Sequence, residues 1–491
     1  MSDQAWQALS MIIYLVAMVW IGFVANRRTD DLDDYMLGGR RLTPAVSALS
    51  AGAADMSGWL LMGLPGAIYV SGLVEGWIAI GLTIGAWLNW KFVAPRLRTY
   101  TEVAENSITI PSYLGARLKD SSHVLRLVSG AIILVFFTFY VSSGMVSGGT
   151  FFEASFGMEY GVGMVLVAAV TVLYTLVGGF LAVSWTDVVQ GLMMVTALVV
   201  LPLVGIVHVG GPGPLVAAIT SVDPGLLGWV SGGTALGIVS ALAWGLGYFG
   251  QPHILVRFMA LTSAGEAATA RRIGIGWMVL SCLGAGMTAL VGIAVYRHDS
   301  GRLANPEGVF IALGQLLFHP LLAGFMLAAI LAAIMSTVSS QLLVTSSALV
   351  EDIYRAFRRD ELSPRHGVWL GRAGVLAVSL VAALLAWQRN DTILGLVAFA
   401  WAGFGAGFGP TVLLSLYWKR LTAPGALAGM LAGAVTVFVW DALEGGLFDL
   451  YEILPGFLLN LAVAAAVSLA TSRPGAEIHD EFDRAVELTR A

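Results

Sequence analysis

Apolar residues along this chain fall neither in alternation nor on one helical face. They come in runs of about twenty, the length a helix needs to cross the hydrocarbon core of a bilayer. Spanning helices are expected near residues 6–25, 45–69, 72–94, 125–147, 161–182, 189–209, 232–255, 273–296, 320–350, 368–387, 393–418, 422–441 and 453–471, thirteen in all. A further apolar stretch, Gly308 to Phe318, is too short to span and is expected as an external helix. The second run is unusual. It reads Ala53-Ala54-Asp55-Met56-Ser57-Gly58-Trp59-Leu60-Leu61-Met62-Gly63-Leu64-Pro65-Gly66, with a carboxylate, a hydroxyl and a glycine at its middle. An ionisable group at that depth costs several kcal/mol unless it is compensated. Gly58 weakens the helix and Pro65 removes a backbone donor. Non-helical backbone in a membrane is tolerated only where protein buries it or where it lines a cavity. The stretch is expected to bind something polar inside the membrane; the plainer alternative is one buried Asp satisfied by a neighbouring Arg or hydroxyl.

A second interrupted run stands at 232–255, where Trp244-Gly245-Leu246-Gly247-Tyr248-Phe249-Gly250-Gln251-Pro252-His253 combines three glycines, an interior proline, polar-tipped aromatics and a Gln. Spans two to six and seven to eleven form two groups of five, and an odd number per group inverts the second relative to the first. The interrupted helices then occupy corresponding positions in inverted repeats, as in many secondary transporters. The expected organisation is a leading helix and first cytoplasmic loop (1–44), a first five-helix repeat (45–209), a second (232–418), two trailing helices (419–472) and a cytoplasmic tail (473–491). The competing explanation is that each glycine only permits close helix packing.

The ninth span carries Ala332-Ala333-Ile334-Met335-Ser336-Thr337-Val338-Ser339-Ser340-Gln341, with four hydroxyls in five positions. Ser336 and Thr337 follow Ala333 by three and four residues, so its carbonyl and the two hydroxyls share a helix face. Back-bonding to an earlier carbonyl is the ordinary role of such hydroxyls. The cluster instead suits sodium, a hard monovalent cation that takes oxygen ligands. An unwound second span would offer free carbonyls from Ala53 and Met56. Proton coupling would need a titrating group, for which Asp55 is the acidic candidate.

Composition and charge fit this picture. The chain has 491 residues, 57% apolar and only 12% charged, about half the charge of a soluble domain, and its mean hydropathy is +0.82. With the N-terminus outside, 23 of the 26 basic residues fall on internal segments and only Arg297, Arg302 and Arg389 fall outside, as the positive-inside rule requires. The internal turn expected around Asp187 carries no basic residue. No cleavable leader is expected, because arginines follow the first run and none precede it. The lone Cys282 excludes internal disulfides. No GxxxxGK[ST] loop supports ATP-driven transport. The seven histidines are scattered, with His253 expected to mark a helix end, and no nucleophile–base pair or metal cluster suggests an enzyme. The tail is too short for a signalling domain and is expected to be helical or loose.

Four stretches carry a family resemblance: AADMSGWLLMGLPGA from Ala53, YTLVGGFLAVSWTDVVQ from Tyr174, WGLGYFGQPHILVRFMA from Trp244 and MSTVSSQLLVTSSALVEDIY from Met335. The chain resembles the sodium:solute symporter family over roughly residues 6 to 475, and within it the proline carriers. The resemblance implies an all-α polytopic carrier of 13 transmembrane helices with a five-plus-five inverted-repeat, LeuT-like core. It implies a sodium site at Ala53, Met56, Ala333, Ser336 and Thr337, sodium coupling through Asp55, and a substrate site at Ser57, Gly58, Trp59, Tyr140, Trp244, Tyr248 and Pro252. Arg40 and Asp187 match positions with gating or structural roles. A half-helix after Gly58 would offer N–H groups to a carboxylate, and the aromatic residues would pack on a pyrrolidine ring. The expected activity is sodium-coupled symport of L-proline by alternating access, not an enzyme reaction, in a bacterial inner membrane with the C-terminus cytoplasmic. Na+, L-proline and the lipid bilayer are the expected partners, with no nucleic acid and no obligate protein partner. The alternatives are another small amino or organic acid as solute, or a proton-coupled carrier.

Overall fold

The computed structural model describes residues 2–26, 37–300, 303–357, 364–388 and 391–490. Of the basic residues behind the expected orientation, Arg27, Arg28, Arg302, Arg358, Arg359 and Arg389 lie outside them. Every described regular element is a helix; the single strand-like contact is an isolated bridge between Leu42 and Leu261. Ten described helices are long and apolar enough to cross a membrane, from Asp3–Ala25 to Ile453–Ala470. The second, fifth and seventh expected spans take shorter forms. They are Pro44–Asp55 followed after a break by Trp59–Ser71, then Tyr160–Leu176, then Ala235–Phe249 followed by Pro252–Met259. The short apolar stretch before the ninth expected span forms the helix Pro306–Leu317.

Local chemistry sets many of the ends. Thr43, Thr234, Thr392 and Thr422 are N-caps whose hydroxyls accept from the amides of Val46, Gly237, Gly395 and Gly425, which satisfies a donor the first turn leaves orphaned. Pro44, Pro252 and Pro320 stand in the first helical turn, where a missing N–H costs nothing.

One boundary moves. The expected turn around Asp187 is absent. The chain from Tyr160 to His208 is helical on both sides of a bend at Gly179, whose φ of 63° and ψ of −174° only glycine adopts without strain. No helix breaker lies between Val183 and Asp187, so the break falls at the glycine pair and Asp187 sits inside a helix, fully buried.

Small residues let the interrupted helices be gripped closely. A Cβ on Gly85 would lie 2.1 Å from the Gly245 carbonyl oxygen, and one on Gly81 would lie 2.5 Å from that of Leu242. Helix Gly76–Leu88 therefore meets the stretch Ala235–Phe249 backbone to backbone. The tail is a docked amphipathic helix, Ala476–Arg490. Its Phe482 is buried beside Tyr100 and the Arg117 guanidinium, with ring and charge separations of 6.0 and 5.3 Å. Lys119 meets Glu481 at 2.8 Å and Lys419 meets Asp483 at 2.7 Å.

Replacing Gly85 by Val is expected to destabilise the protein by about 1–3 kcal/mol, the usual cost of overpacking. Gly276→Ala, where nothing lies within 4 Å of the added Cβ, should not lower the melting temperature. Thermal unfolding of the detergent-solubilised variants checks both.

Candidate functional site

The first break follows from three hydrogen bonds that leave the helical ladder. In a continuous helix the Ser57 amide would go to the Ala53 carbonyl; here it goes to Asp55, at 3.0 Å. Met56 between them has φ −82° and ψ 76°, the inverse γ-turn conformation. The Leu60 amide, due to Met56 in a helix, goes to Ser57 at 3.1 Å. The carbonyls of Ala53 and Met56 are thus among those that lose their helical donors. Trp59 closes the far side of the turn: its indole N–H donates to the Asp55 carbonyl at 3.3 Å, and its amide donates to the Ser57 hydroxyl at 3.4 Å. Gly58 is required by proximity, because a Cβ there would lie 2.8 Å from the Ser147 hydroxyl.

The ninth expected span, Pro320–Ser347, supplies hydroxyls to the freed carbonyl. Ser336 Oγ donates to Ala53 O at 2.7 Å and lies 3.1 Å from Ala333 O, while Thr337 Oγ1 lies 3.4 Å from Ala53 O. All four residues are buried, as is Met56. Tyr174 fixes this helix by donating to Met335 O at 2.8 Å. No group of three or more His, Cys, Asp or Glu able to hold a metal occurs among the described residues. The oxygens gathered here are backbone carbonyls and hydroxyls, all uncharged.

The second break faces the first. Trp244–Phe249 tightens into a 3₁₀ helix, Gly250 ends it, Gln251 is extended and Pro252 starts the second half. Trp401, on helix Ile393–Tyr417, holds this break. Its indole donates to the Trp244 carbonyl at 2.7 Å, and its own carbonyl accepts from the Gln251 side chain at 3.1 Å. A Cβ on Gly247 would lie 1.9 Å from that indole nitrogen. Asn89 donates to the Tyr248 carbonyl at 2.8 Å. Neither Trp401 nor Asn89 stood out in the sequence, although each is a polar-tipped side chain inside an apolar run.

Side chains join the two breaks. The Tyr248 hydroxyl donates to Asp55 Oδ2, and the Trp59 and Trp244 rings lie 6.4 Å apart. Tyr140 reaches the same layer through His253, whose ring it meets edge-on at 5.9 Å. His253 begins the half-helix Pro252–Met259 and is buried. Pro252 faces elsewhere, lining a small cleft with Ile133, Val256 and Val344. Asp55 Oδ1, the Tyr140 hydroxyl, Gln251 Oε1 and both His253 nitrogens are buried without a hydrogen-bond partner. Buried polar atoms are nearly always partnered, so these atoms leave the layer with hydrogen-bonding capacity for polar contents.

Arg40 and Asp187 lie apart from this layer. Arg40 is a staple between segments: its guanidinium donates to Asn106, Thr101, and the carbonyls of Met259 and Ser107 at 2.8–3.1 Å. Asp187 Oδ2 takes hydrogen bonds from Ser50 at 2.7 Å and from Arg257 at 3.2 Å. Arg257, counted from the sequence among internal basic residues, is fully buried instead. It also donates to Ser340 at 2.6 Å and to the His253 carbonyl at 2.6 Å. This network ties both interrupted helices to the ninth expected span, one turn beyond Ser336.

The chain belongs to the sodium:solute symporter family, whose model matches residues 35–433. It is 60% identical to the high-affinity proline transporter PutP of Bacillus subtilis (strain 168), over 95% of this chain and 98% of that one. It is 53% identical to the osmoregulated proline transporter OpuE of the same organism, over 95% of each chain. It is 49% identical to the sodium/proline symporter of Staphylococcus aureus (strain NCTC 8325 / PS 47), over 99% of this chain and 97% of that one. Among solved structures, a substrate-bound, outward-open Na+-coupled sialic acid symporter superposes with a TM-score of 0.81 at 20% identity, over 96% of this chain and 99% of that one. A nucleobase-cation-symport-1 family transporter in a closed conformation gives 0.57 at 13% identity, over 93% and 98%. The fold is thus that of the LeuT-like sodium symporters, as expected from the sequence. The protein is a transporter, not an enzyme.

Removing one member of a buried ion pair strands the other, at a cost of about 3–5 kcal/mol. Asp187→Leu alone is therefore expected to lower thermal stability more than Asp187→Leu combined with Arg257→Met. A thermal double-mutant cycle measures the difference.

Proposed function

We propose that the protein is a sodium-coupled symporter that carries L-proline into the cell by alternating access. The observation that carries this reading is the first break, where the freed carbonyl of Ala53 meets the hydroxyls of Ser336 and Thr337. Sodium would be held by the carbonyls of Ala53, Met56 and Ala333 with the hydroxyls of Ser336 and Thr337. L-Proline would lie in the adjoining layer, among Ser57, Gly58, Trp59, Tyr140, Trp244 and Tyr248, with Pro252 shaping the half-helix below. Asp55 would couple the two through Tyr248, while Arg40 and Asp187 would hold the gate elements together. The names of the three relatives, two proline transporters and a sodium/proline symporter, support the choice of both solutes.

The architecture completes the reading. Counting the two interrupted helices and Tyr160–Leu176 as crossings beside the ten long helices would make thirteen. Residues 45–209 and 232–418 would be the inverted repeats, flanked by the leading helix and the two trailing ones. An odd number of crossings would put the termini on opposite sides, and the distribution of basic residues favours an outside N-terminus and a cytoplasmic C-terminus, which we propose lie across a bacterial inner membrane. Each sodium entering supplies about 2.3 kcal/mol per 100 mV, on the order of a fifty-fold concentration ratio for proline.

Uptake of radiolabelled L-proline into proteoliposomes, with and without an inward sodium gradient, tests the proposal; uptake indifferent to sodium would sink it. Within the same assay, Thr337→Ala is expected to raise the half-saturating sodium concentration about tenfold, the worth of one lost ligand oxygen, with less change for proline. Trp244→Ala should do the reverse. Equal rescue of both variants by excess sodium would show that the roles are not divided this way.

A further inference from the structure

We propose that Tyr451, which lies outside the five-plus-five core, is the lid over the substrate layer, closing it from the end of the bundle that carries residues 442–452. The inference rests on reading the Trp59–Trp244 layer as the substrate chamber, and it adds a gate element that the sequence motifs do not contain.

A cavity of about 430 Å³ opens at that end of the bundle, and both Trp244 and Tyr451 line it. The two rings stack, with centroids 5.3 Å apart and planes at 29°. Trp244 also meets Trp59 at 6.4 Å, and Trp59 belongs to the break that carries Asp55. Three aromatic rings, from a trailing-helix connection, the second break and the first break, therefore run in contact from the cavity to the buried polar layer. Tyr451 is held so that its ring covers Trp244. Its amide donates to the Ser240 hydroxyl at 3.0 Å, and its own hydroxyl donates to the Ala398 carbonyl at 2.7 Å. The preceding residue is fixed as well, since the Trp440 indole donates to the Leu450 carbonyl at 2.9 Å.

These anchors have a mechanical consequence. Ser240 lies on the half-helix leading into the second break, and Ala398 lies on the helix that carries Trp401, whose indole holds the Trp244 carbonyl. The lid is thus tied to both elements that fix Trp244. Opening the chamber toward the cavity requires Tyr451 to unstack, so the connection between the two trailing helices moves with the gate. Closure depends chiefly on the ring; the hydroxyl aims it.

The test reads access, not transport. In a Cys282→Ala background, Ser57→Cys places a reporter thiol under the lid, and the full chain in nanodiscs is treated with a charged methanethiosulfonate reagent. Adding Tyr451→Ala should speed modification roughly threefold to tenfold, the shift in opening that loss of one stacked aromatic pair carries. Tyr451→Phe should restore the slow rate within about twofold. Tyr451→Leu, which keeps apolar bulk without a ring, should react like the alanine variant and serves where that variant does not assemble. Equal rates with and without the ring would overturn the lid. A fast Tyr451→Phe variant would overturn it too, assigning closure to the hydroxyl anchor. Proline uptake is not part of this readout, so the carrier proposal stands or falls separately.

Discussion

The structure turns on one carbonyl. Ala53 O loses its helical donor because Met56 adopts a γ-turn, and it is recovered by Ser336 from a helix 283 positions later in the chain. A backbone oxygen stranded in a membrane costs several kcal/mol, so the break survives only where a second helix supplies donors at close range. Such a helix must bring hydroxyls without bulk, and the run Ser336-Thr337-Val338-Ser339-Ser340 does so. The interaction is also exchangeable. A hydroxyl that donates to a carbonyl can turn to offer its own lone pairs beside it, so the contacts that close the break without a cation are the groups suited to receive one.

The second break follows a different logic. No hydroxyl cluster meets it; a tryptophan does. Trp401 inserts its indole against Gly247 and bonds the carbonyl of Trp244 while its own backbone receives Gln251. Gly250 lies equally tight against the Phe404 carbonyl. The glycines of this run serve close approach, as the plainer explanation of them held, and they serve it in order to stabilise unwound backbone. The run is thus both interrupted and closely packed.

Much of this was legible in the sequence, and the reason is physical. Apolar runs report spanning helices because the bilayer imposes one length on them, and polar or proline-bearing interruptions stand out against so uniform a background. Ala53, Met56, Ser336 and Thr337 could be chosen as a group because helix periodicity places the hydroxyls and broken periodicity frees the carbonyls. Trp401 and Asn89 escaped because their polar work is done by one tip atom, which composition cannot separate from packing. Arg257 escaped for a sharper reason. Charge counting assigns an arginine near a helix end to the aqueous side, and nothing local reveals that Asp187, on another helix, neutralises it. The misplaced turn at Asp187 and the misplaced Arg257 are one error, since each residue is tolerated inside only because of the other.

That pair also explains how Asp55 differs from Asp187. Asp187 has a full counter-charge in Arg257 and a hydrogen bond from Ser50, both on Oδ2, while its Oδ1, like that of Asp55, has no partner among the described residues; Arg257 also bonds Ser340, so the network binds the helices into a unit. Asp55 has a single donor, the Tyr248 hydroxyl, and its other oxygen is unpartnered. It lies two residues after Ala53 and one before Met56, on the turn whose carbonyls would hold sodium, yet its bond runs to the opposite break. A cation that drew in Ala53 O and Met56 O would shift the backbone between them, and that backbone carries Asp55. The displacement would pass through one hydrogen bond to Tyr248, and from there to the helix that presents Trp244. Coupling between ion and solute would then require no charge relay and no long pathway, since the two proposed sites would share the turn that carries Asp55.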